Sequence, residues 1–146
     1  MAHTKSSKRG FTLIEILIVV VILGVLASIV IPQFTSATDS SRENTLKMDL
    51  HRIRTQLILY QQQHNGNYPT VADFVAQMTQ ASNTAGDTAA PGTAGYPHGP
   101  YIQQMPLNPW TSTRDIGSGA AGSSAWYFDS STGDFRANDS AQSRTY

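Results

Sequence analysis

The feature that most constrains this 146-residue chain is a long apolar segment near its N-terminus. Within residues 11–31, every residue is large and apolar or alanine except Thr12, Glu15, Gly24 and Ser28. As an α-helix rising about 1.5 Å per residue, this segment spans roughly 30 Å, the thickness of the hydrocarbon core of a bilayer. The sequence therefore predicts a helix that can cross a membrane, and the remaining chain is long enough for one modest core.

Basic residues precede the apolar segment and predict its orientation. Lys5, Lys8 and Arg9 lie before it, so the positive-inside rule places the N-terminus in the cytoplasm and the rest of the chain outside. The segment is too long for the apolar core of a secretory signal peptide, and Pro32 follows it where a small-residue cleavage site would be expected. A plain single-pass anchor remains one interpretation of this pattern.

The next stretch of chain predicts an amphipathic continuation of the helix. Pro32 and the weak helix formers of residues 35–41 make the helix locally weak, and Ser40 with Glu43 fits a capping box for a restart. If the helix instead continues through Pro32, it runs over residues 11–64 and is roughly 80 Å long. Its first half must then be buried by something other than this chain's own core. Beyond the restart point an apolar stripe recurs every three or four residues: Leu46, Leu50, Ile53, Leu57 and Tyr60.

After this helix, the sequence predicts a second, short helix. Gly66 and Pro69 end the first helix, and Thr70 with Asp73 forms a capping signature. The short amphipathic helix is expected over residues 70–79, with its apolar positions at Val71, Phe74, Val75 and Met78.

The remaining residues predict loops and one hairpin. Residues 80–100 are rich in Ala, Gly, Thr and Pro without periodicity, which indicates a surface loop. Residues 101–110 carry apolar anchors separated by two prolines and suit an extended segment or an edge strand. Residues 125–129 and 134–137 predict a β-hairpin with Gly133 in a left-handed turn position.

Glu15 is the one charged side chain within the apolar segment. A carboxylate inside a membrane-spanning helix costs about 2.5–3.5 kcal/mol on insertion scales, so such a residue usually has a function and a partner. The segment contains no lysine or arginine that could pair with it. Cleavage after Gly10 would supply a counter-ion, because it exposes the α-amine of Phe11 four residues before Glu15.

The sequence KRGFTLIE at residues 8–15, with Pro32 farther along the helix, resembles the class III leader and methylation signal of type IV pilins and type II secretion pseudopilins. The resemblance implies cleavage between Gly10 and Phe11 by a membrane-embedded prepilin peptidase, which also N-methylates Phe11. It implies that Glu15 neutralises the N-terminal amine of a neighbouring subunit during filament assembly. Methylation preserves the positive charge of that amine, so the pairing survives it.

This resemblance is strongest over residues 8–69 and implies an α+β fold shaped like a pilin lollipop. A long N-terminal helix, transmembrane in its first half, packs on a short helix and a small antiparallel β-sheet. The expected organisation is a leader peptide at residues 1–10 and a transmembrane and filament-core helix at 11–31. The soluble half of the long helix follows at 32–64, and a small globular α+β region occupies 65–146.

The C-terminal part resembles the family more loosely, through the segments MPLNPW and AWYFDSSTGDFRAND. Two departures bear on the group within the family. The chain has no cysteine and therefore lacks the disulfide loop of many adhesive pilins, which favours a cysteine-free, major-pseudopilin-like subunit. The acidic calcium loop of the major pseudopilins is not recognisable after NPW, which leaves that group open.

The predicted function is therefore structural: a subunit of a type IV pilus-like or type II secretion pseudopilus filament. Its expected partners are copies of itself, the prepilin peptidase, an inner-membrane assembly platform and minor pilins. The precursor is expected in the bacterial inner membrane and the product in a periplasmic or extracellular filament. Two alternatives remain: a minor tip pilin for adhesion or DNA uptake, and a membrane-anchored ligand-binding module that never polymerises.

The apolar segment is expected to form the core of such a filament. Gly24 and Ser28 are a small-xxx-small pair that allows helices to approach closely, although ordinary transmembrane composition explains them equally well. The residues expected in the filament core are 13, 14, 16–23, 25 and 26.

Enzymatic and nucleic-acid functions are disfavoured by the sequence. No nucleophile motif occurs, and from residue 11 onward seven basic against ten acidic side chains leave a net charge of −3. His3, His51, His64 and His98 lack zinc-ligand spacing, and His51 and His64 are expected on the helix surface. A G-x-G-x-x-G pattern lies in a Ser-rich stretch without the strand and helix of a phosphate site, so a flexible loop is predicted at Gly117, Gly119 and Gly122.

Two clusters near the C-terminus have a structural and a ligand-binding interpretation. Asp129, Asp134, Asn138 and Asp139 offer the oxygen ligands that calcium prefers, but turn chemistry alone favours these residue types around a hairpin. No cofactor is predicted, and calcium is the weaker alternative. The aromatic residues are expected to build the small core rather than a ligand platform: Trp110, Trp126, Tyr127 and Phe128.

Overall fold

The computed structural model describes residues 10–140, so the predicted leader, residues 1–10, lies outside the described residues except for Gly10. The chain divides into two units, with the boundary between Ser40 and Ser41. Its elements are α1 (Leu13–Gln63), α2 (Phe74–Thr79), β1 (Ala81–Ser82), β2 (Thr88–Ala89), β3 (Ile116–Gly117), β4 (Trp126–Asp129) and β5 (Asp134–Ala137).

The first unit consists of the N-terminal part of α1. None of residues 10–40 is buried, and the large apolar side chains of residues 13–31 are 43–85% exposed on all sides of the helix. By length and composition α1 is able to cross a membrane. A surface helix has an apolar side and a polar side, but this part of α1 carries apolar side chains on all sides.

Helix α1 continues through Pro32, so the alternative of one continuous helix over residues 11–64 is confirmed, with bounds Leu13–Gln63. Threonine hydroxyls after the proline donate to the backbone carbonyls four residues earlier, Thr35 to Ile31 at 3.3 Å and Thr38 to Phe34 at 2.9 Å. These bonds let polar residues remain helical, because the side chain is satisfied within the helix itself.

The other alternative, a restart at Ser40, is wrong. Ser40 lies inside α1 and does not begin a new helix. Glu43, the expected second member of the capping box, forms an ion pair with Lys47 one turn later, with 2.7 Å between Oε1 and Nζ. An i,i+4 pair of this kind supports a helix interior.

The second unit contains the hydrophobic core. The apolar stripe of α1 is buried as predicted, from Leu46 to Tyr60. Arg54 on the same helix donates from Nε to the carbonyl of Phe135 at 2.9 Å, which joins α1 to β5. The large core side chains that pack with the stripe come from α2, β4 and β5: Phe74, Met78, Trp126, Phe128 and Phe135.

Within residues 10–140 the chain forms two sheets, where the sequence predicts one antiparallel sheet. Strands β1 and β2 pair antiparallel inside the predicted loop of residues 80–100. Strand β3 pairs parallel with β4 and contains Gly117, which the sequence assigns to a flexible loop. Each of these three strands has only two residues and no alternating pattern, so their pairing depends on tertiary contacts rather than local propensity.

The predicted hairpin is confirmed. Strands β4 and β5 pair antiparallel, with Asp129 opposite Asp134, and Gly133 has a φ of +76° in the turn. A Cβ added at Gly133 would also lie 2.2 Å from the Tyr68 ring. The turn therefore requires glycine for its backbone conformation and for its close approach to Tyr68.

Helix α2 is shorter than predicted and begins at Phe74. The Thr70 and Asp73 signature forms a turn ahead of it, with the Asp73 N–H donating to Thr70 Oγ1 at 3.0 Å. Val75, predicted on the apolar face, is exposed. Gln77 is buried instead, because its amide accepts from the Thr70 N–H at 2.9 Å and donates to the Gly86 carbonyl at 2.9 Å.

The aromatic prediction is half correct. Trp126 and Phe128 are fully buried in the core, whereas Tyr127 is half-buried and Trp110 is 43% exposed. Tyr127 alternates with its buried neighbours along β4 and therefore faces the other side of the sheet. Residues 101–110 form no strand, which fits the predicted extended segment.

His64 corrects the prediction of a surface histidine, whereas His51 is exposed as expected. The His64 ring stacks on Tyr60 with 3.6 Å between ring centroids. Its Nδ1 lies 2.8 Å from the Tyr60 carbonyl and its Nε2 lies 3.1 Å from Ser82 Oγ. Two hydrogen bonds satisfy the polar atoms of the ring, which allows its burial at the end of α1. Burial also raises the pKa of Tyr60 to about 12.

Candidate functional site

The N-terminus of α1 is capped by two residues that hydrogen-bond to each other, Thr12 and Glu15. The backbone N–H and the hydroxyl of Thr12 both donate to Glu15 Oε2, each at 2.8 Å. In return the Glu15 N–H donates to Thr12 Oγ1 at 3.3 Å. This reciprocal arrangement is a capping box, which satisfies two of the N–H groups that a helix leaves without an internal partner.

The capping box adds a structural role for Glu15 that the sequence analysis missed. The signal was present as T-x-x-E directly before the apolar run, and Thr12 is its other member. A carboxylate in the first turn is also favoured by the helix dipole. These interactions offset part of the cost of placing Glu15 in an apolar segment. They hold the carboxylate beside residue 12, one residue from Phe11.

The junction between Gly10 and Phe11 is sterically open among the described residues. A Cβ added at Gly10 would meet no atom within 4 Å, and the Phe11 side chain is 83% exposed. The fold therefore does not itself require glycine at position 10.

Gly24 and Ser28 present a small, open surface in the middle of the apolar segment. A Cβ at Gly24 would meet no atom within 4 Å, and the Ser28 hydroxyl donates to the Val25 carbonyl at 2.7 Å. Gly in a helix interior is about 1 kcal/mol less favourable than Ala. No contact among the described residues explains Gly24, so the predicted close approach of another helix stays a prediction.

Pro32 lies inside α1 and has no N–H to donate to the carbonyl of Ser28. The structure places it on the same helix as Glu15 but at a distance of 17 residues along the chain. These two residues are therefore not brought together in one copy. The assembly role expected for Phe11, Glu15 and Pro32 stays a prediction.

The calcium candidates at the hairpin are divided between its two ends. Asp129 and Asp134 flank the turn, whereas Asn138 and Asp139 follow the opposite end of β5. The Ser131 hydroxyl and N–H donate to Asp129 Oδ1 at 2.6 and 2.8 Å, and these bonds lower the Asp129 pKa. Asp134 pairs with Arg136 at 2.6 Å.

The other two candidates are bound to neighbouring loops. Asn138 is fully buried and its Nδ2 donates to Ser124 Oγ at 2.8 Å. Asp139 Oδ1 accepts from Asn108 Nδ2 at 2.9 Å. Within residues 10–140, no group of three or more histidine, aspartate or glutamate side chains is arranged to hold a metal. The calcium interpretation of these residues stays a prediction.

Comparisons with known proteins agree with the position and order of these features. The prokaryotic N-terminal methylation motif matches residues 5–31, and type II secretion system (T2SS), protein G matches residues 33–124. No solved structure matches the chain.

Three similar proteins are each named type II secretion system core protein G. The protein of Klebsiella pneumoniae is 36% identical over 105 residues, which cover 72% of this chain and 71% of the relative. That of Dickeya chrysanthemi is 34% identical over 103 residues, 70% of this chain and 63% of the relative. That of Escherichia coli (strain K12) is 33% identical over 103 residues, 70% of this chain and 67% of the relative.

These matches settle the group within the family that the missing cysteines and the unrecognised acidic loop left open. The protein G match covers more than half of the chain and includes α2 and the segment that contains Trp110. The methylation motif covers the capping box and the apolar segment. The chain belongs to the type II secretion system protein G family.

Proposed function

We propose that this chain is the major structural subunit of a type II secretion pseudopilus, a filament of identical copies. The observation that carries the proposal is that the apolar part of α1 has no buried residue on any of its sides. Its large apolar side chains, from Leu13 to Ile31, are exposed on every face. Exposing such a surface to water is unfavourable, so lipid or other apolar side chains must cover it.

Two environments cover this surface at different stages. In the precursor the lipid bilayer surrounds residues 11–31, whose length matches the hydrocarbon core. In the filament the same residues are surrounded by α1 helices of other copies. Gly24 supports this second environment, because a residue without a side chain allows close helix contact and no intrachain contact accounts for it.

The transition between the two stages requires processing. Cleavage between Gly10 and Phe11 by a prepilin peptidase removes the basic leader, and N-methylation of Phe11 preserves the new positive charge. The open surroundings of Gly10 support a requirement imposed by the peptidase, since the fold has space for a side chain there.

The new amine and Glu15 then determine the register of the subunits. The capping box fixes the Glu15 carboxylate at the start of α1, where an adjacent copy of the amine is able to reach it. In an apolar surrounding, an unpaired charge is strongly disfavoured and a paired one is tolerated. The association of neighbouring subunits is therefore most favourable when each Phe11 amine forms an ion pair with a Glu15 carboxylate.

The proposed partners and location follow from this role. The precursor resides in the inner membrane with its N-terminus in the cytoplasm, and the processed subunit enters a periplasmic or extracellular filament. An inner-membrane assembly platform and minor pilins complete the machine. The role is structural and not catalytic. Similarity to proteins named core protein G favours the main filament subunit over a tip pilin or a ligand-binding module.

A pair of glycine variants tests the processing step. Gly10→Ala, or a larger residue, is expected to prevent cleavage and to leave a precursor about ten residues longer on a gel. Gly24→Ala is the matched control, because both glycines have open surroundings but only Gly10 adjoins the cleaved bond. Normal processing of the Gly10 variants would contradict the proposal.

A second experiment tests polymerisation. Material sheared from the surface of producing cells should contain filaments built from this chain, visible by electron microscopy. The subunits in these filaments should begin at Phe11. Processed protein that remains membrane-bound and never enters a filament, with all partner proteins present, would favour the ligand-binding module.

A further inference from the structure

The loop after Trp110 lies where the major pseudopilins carry an acidic calcium loop, and the protein G match includes it. In this chain the loop comprises residues 111–124 and contains one acidic side chain, Asp115. Calcium takes about six to eight oxygen ligands, several of them carboxylates, at about 2.3–2.6 Å. The hydrogen bonds that the oxygens around this loop already make therefore show whether these residues fit calcium.

A buried asparagine amide lies between two of these oxygens. Asn108 is fully buried, and its Nδ2 donates to the Ala125 carbonyl at 2.8 Å and to Asp139 Oδ1 at 2.9 Å. An amide nitrogen carries two hydrogens, so both are used. Because the two hydrogens point apart, the two oxygens lie on different sides of the nitrogen. A calcium ion in contact with both oxygens would overlap this amide.

The orientation of the Asn108 amide is fixed by its other bonds. Its Oδ1 accepts from the Trp110 N–H at 2.9 Å, and its own N–H donates to the Thr113 carbonyl at 2.9 Å. A rotated amide would place Oδ1 against two acceptor oxygens and Nδ2 against the N–H of Trp110. Such unmatched groups are costly in a buried position, so Nδ2 stays between the two oxygens.

A second buried amide closes the other part of the loop. Asn138 is fully buried, and its Nδ2 donates to Ser124 Oγ at 2.8 Å and to the Ala120 carbonyl at 3.1 Å. The Gly122 N–H donates in turn to the Asn138 carbonyl. Neutral N–H donors therefore hold this part of the loop against the end of β5.

Asp115, the acidic residue of the loop, bonds to the backbone. Its Oδ2 accepts from the Ala125 N–H at 3.1 Å, and its carbonyl accepts from the Trp126 N–H at 3.0 Å. In the part of the chain that the structure describes, no three histidine, aspartate or glutamate side chains are grouped to hold a metal. The residues after Trp110 therefore do not fit the ligand set of calcium.

We propose that the side-chain amides of Asn108 and Asn138 take the place of calcium in this protein, so that the second unit folds without the ion. A cation stabilises an acidic loop by relieving repulsion between carboxylates. Here few carboxylates need such relief, and the amides supply N–H donors to the same kinds of oxygen. The proposal does not depend on filament formation, because it concerns the folding of one copy.

Thermal unfolding of the full chain in detergent tests the proposal. The chain is measured with EDTA, with calcium and with magnesium as the control ion. A calcium site with a dissociation constant of about 0.1 mM would raise the Tm by about 10 °C or more at about 10 mM calcium. We expect the same Tm in all three conditions, within about 1 °C. A Tm raised by calcium and not by magnesium would overturn the proposal.

Asn108→Asp tests whether the amide lies where a cation would. This variant loses the Nδ2 donor and places a second carboxylate beside Asp139, so its Tm in EDTA should decrease. Calcium should recover about half of that decrease or more, because it binds the new pair of carboxylates. Asn44→Asp, the same change at an exposed position of α1, is the control and should not respond to calcium. An Asn108→Asp variant that calcium does not stabilise would also overturn the proposal.

Asp139→Asn provides a test that does not depend on the folding of Asn108→Asp. The new amide oxygen is still able to accept from Asn108 Nδ2, whereas a calcium ligand would lose its charge. We expect the Tm to stay within about 2 °C of the unsubstituted chain, with or without calcium. A decrease seen only in calcium would assign Asp139 to a metal site and contradict the proposal. None of these results alters the proposed function, which fails only if filaments with subunits beginning at Phe11 are absent.

Discussion

The two units of this chain use apolar residues in opposite ways. In residues 10–40, apolar side chains surround α1 and none is buried. In the second unit the same helix buries one stripe, from Leu46 to Tyr60, against side chains of the same chain. The second unit therefore has a hydrophobic core of its own, and the apolar side chains of the first unit depend on lipid or on other copies.

This difference separates stability from assembly. Substitutions in the core of the second unit should change the free energy of unfolding. Substitutions in residues 10–31 should change insertion or polymerisation and leave that unit folded. Matched substitutions in the two units therefore test the comparison.

The largest effect is expected from Glu15→Ala, which removes the proposed partner of the Phe11 amine. We expect loss of filaments with membrane insertion intact, because an apolar segment inserts better without its carboxylate. Electron microscopy of sheared material and membrane fractionation measure the two outcomes.

Glu43→Ala is the control for this variant. Glu43 lies on the same helix in the second unit, in an exposed ion pair with Lys47. Exposed i,i+4 pairs contribute about 0.3–0.5 kcal/mol, so filaments should form normally. Normal filament yield from Glu15→Ala would remove the charge-pairing step from the account.

A matched pair of leucine variants distinguishes the units by stability. Leu50 is 1% exposed and Leu17 is 52% exposed. Leu50→Ala should destabilise the second unit by about 2–5 kcal/mol and lower its Tm by roughly 10 °C or more. Leu17→Ala should leave that Tm unchanged. Equal shifts for the two variants, measured by thermal unfolding in detergent, would show that the units are not independent.

Two glycine variants within the second unit should differ in their free energy of unfolding, by less than the two leucine variants do. Gly66 and Gly133 both have positive φ, but only a Cβ at Gly133 would collide with the Tyr68 ring. Gly66→Ala should cost about 1–2 kcal/mol from backbone strain alone. Gly133→Ala should cost about 1–3 kcal/mol more, because the ring must move. Chemical denaturation measures both, and equal losses would mean that Tyr68 moves without resistance.

A change of pH is expected to have the smallest effect on the free energy of unfolding. Burial, with a contribution from His98, lowers the His64 pKa below its ordinary value of about 6.5. Between the folded and unfolded pKa values the unfolded chain binds more protons, so the unfolding free energy decreases as pH falls below about 6.5. The slope should reach at most about 1.4 kcal/mol per pH unit.

The pH effect is assigned to His64 by two variants. His64→Gln should make Tm less dependent on pH between about 7.5 and 5, the range in which histidine titrates. His51→Gln, at an exposed position, should leave it unchanged. An unaltered pH dependence in His64→Gln would assign the effect to another group.

The sequence was most informative where one local pattern determined the structure. The buried stripe of α1 follows from helical spacing, and the hairpin follows from alternation plus Gly133. For α1 the sequence left two alternatives, a restart at Ser40 and a continuous helix over residues 11–64, because local propensity is weak after Pro32; the structure has the continuous helix, in which threonine hydroxyls donate to backbone carbonyls.

Other features depended on contacts between distant residues. Strands β1, β2 and β3 are too short to show a pattern, and His64 is buried only because Tyr60 and Ser82 lie next to it. The Trp110 N–H donates to Oδ1 of the buried Asn108, a residue that the sequence did not single out. At the N-terminus the capping role of Thr12 was not predicted, although T-x-x-E stands directly before the apolar run.

The most direct test of the account is the mass of the N-terminal peptide from subunits purified out of native filaments. The account predicts a peptide that begins at Phe11 and carries one added methyl group on its amine. A peptide that begins at Met1 or Ala2 would contradict it, because the counter-ion proposed for Glu15 would not exist.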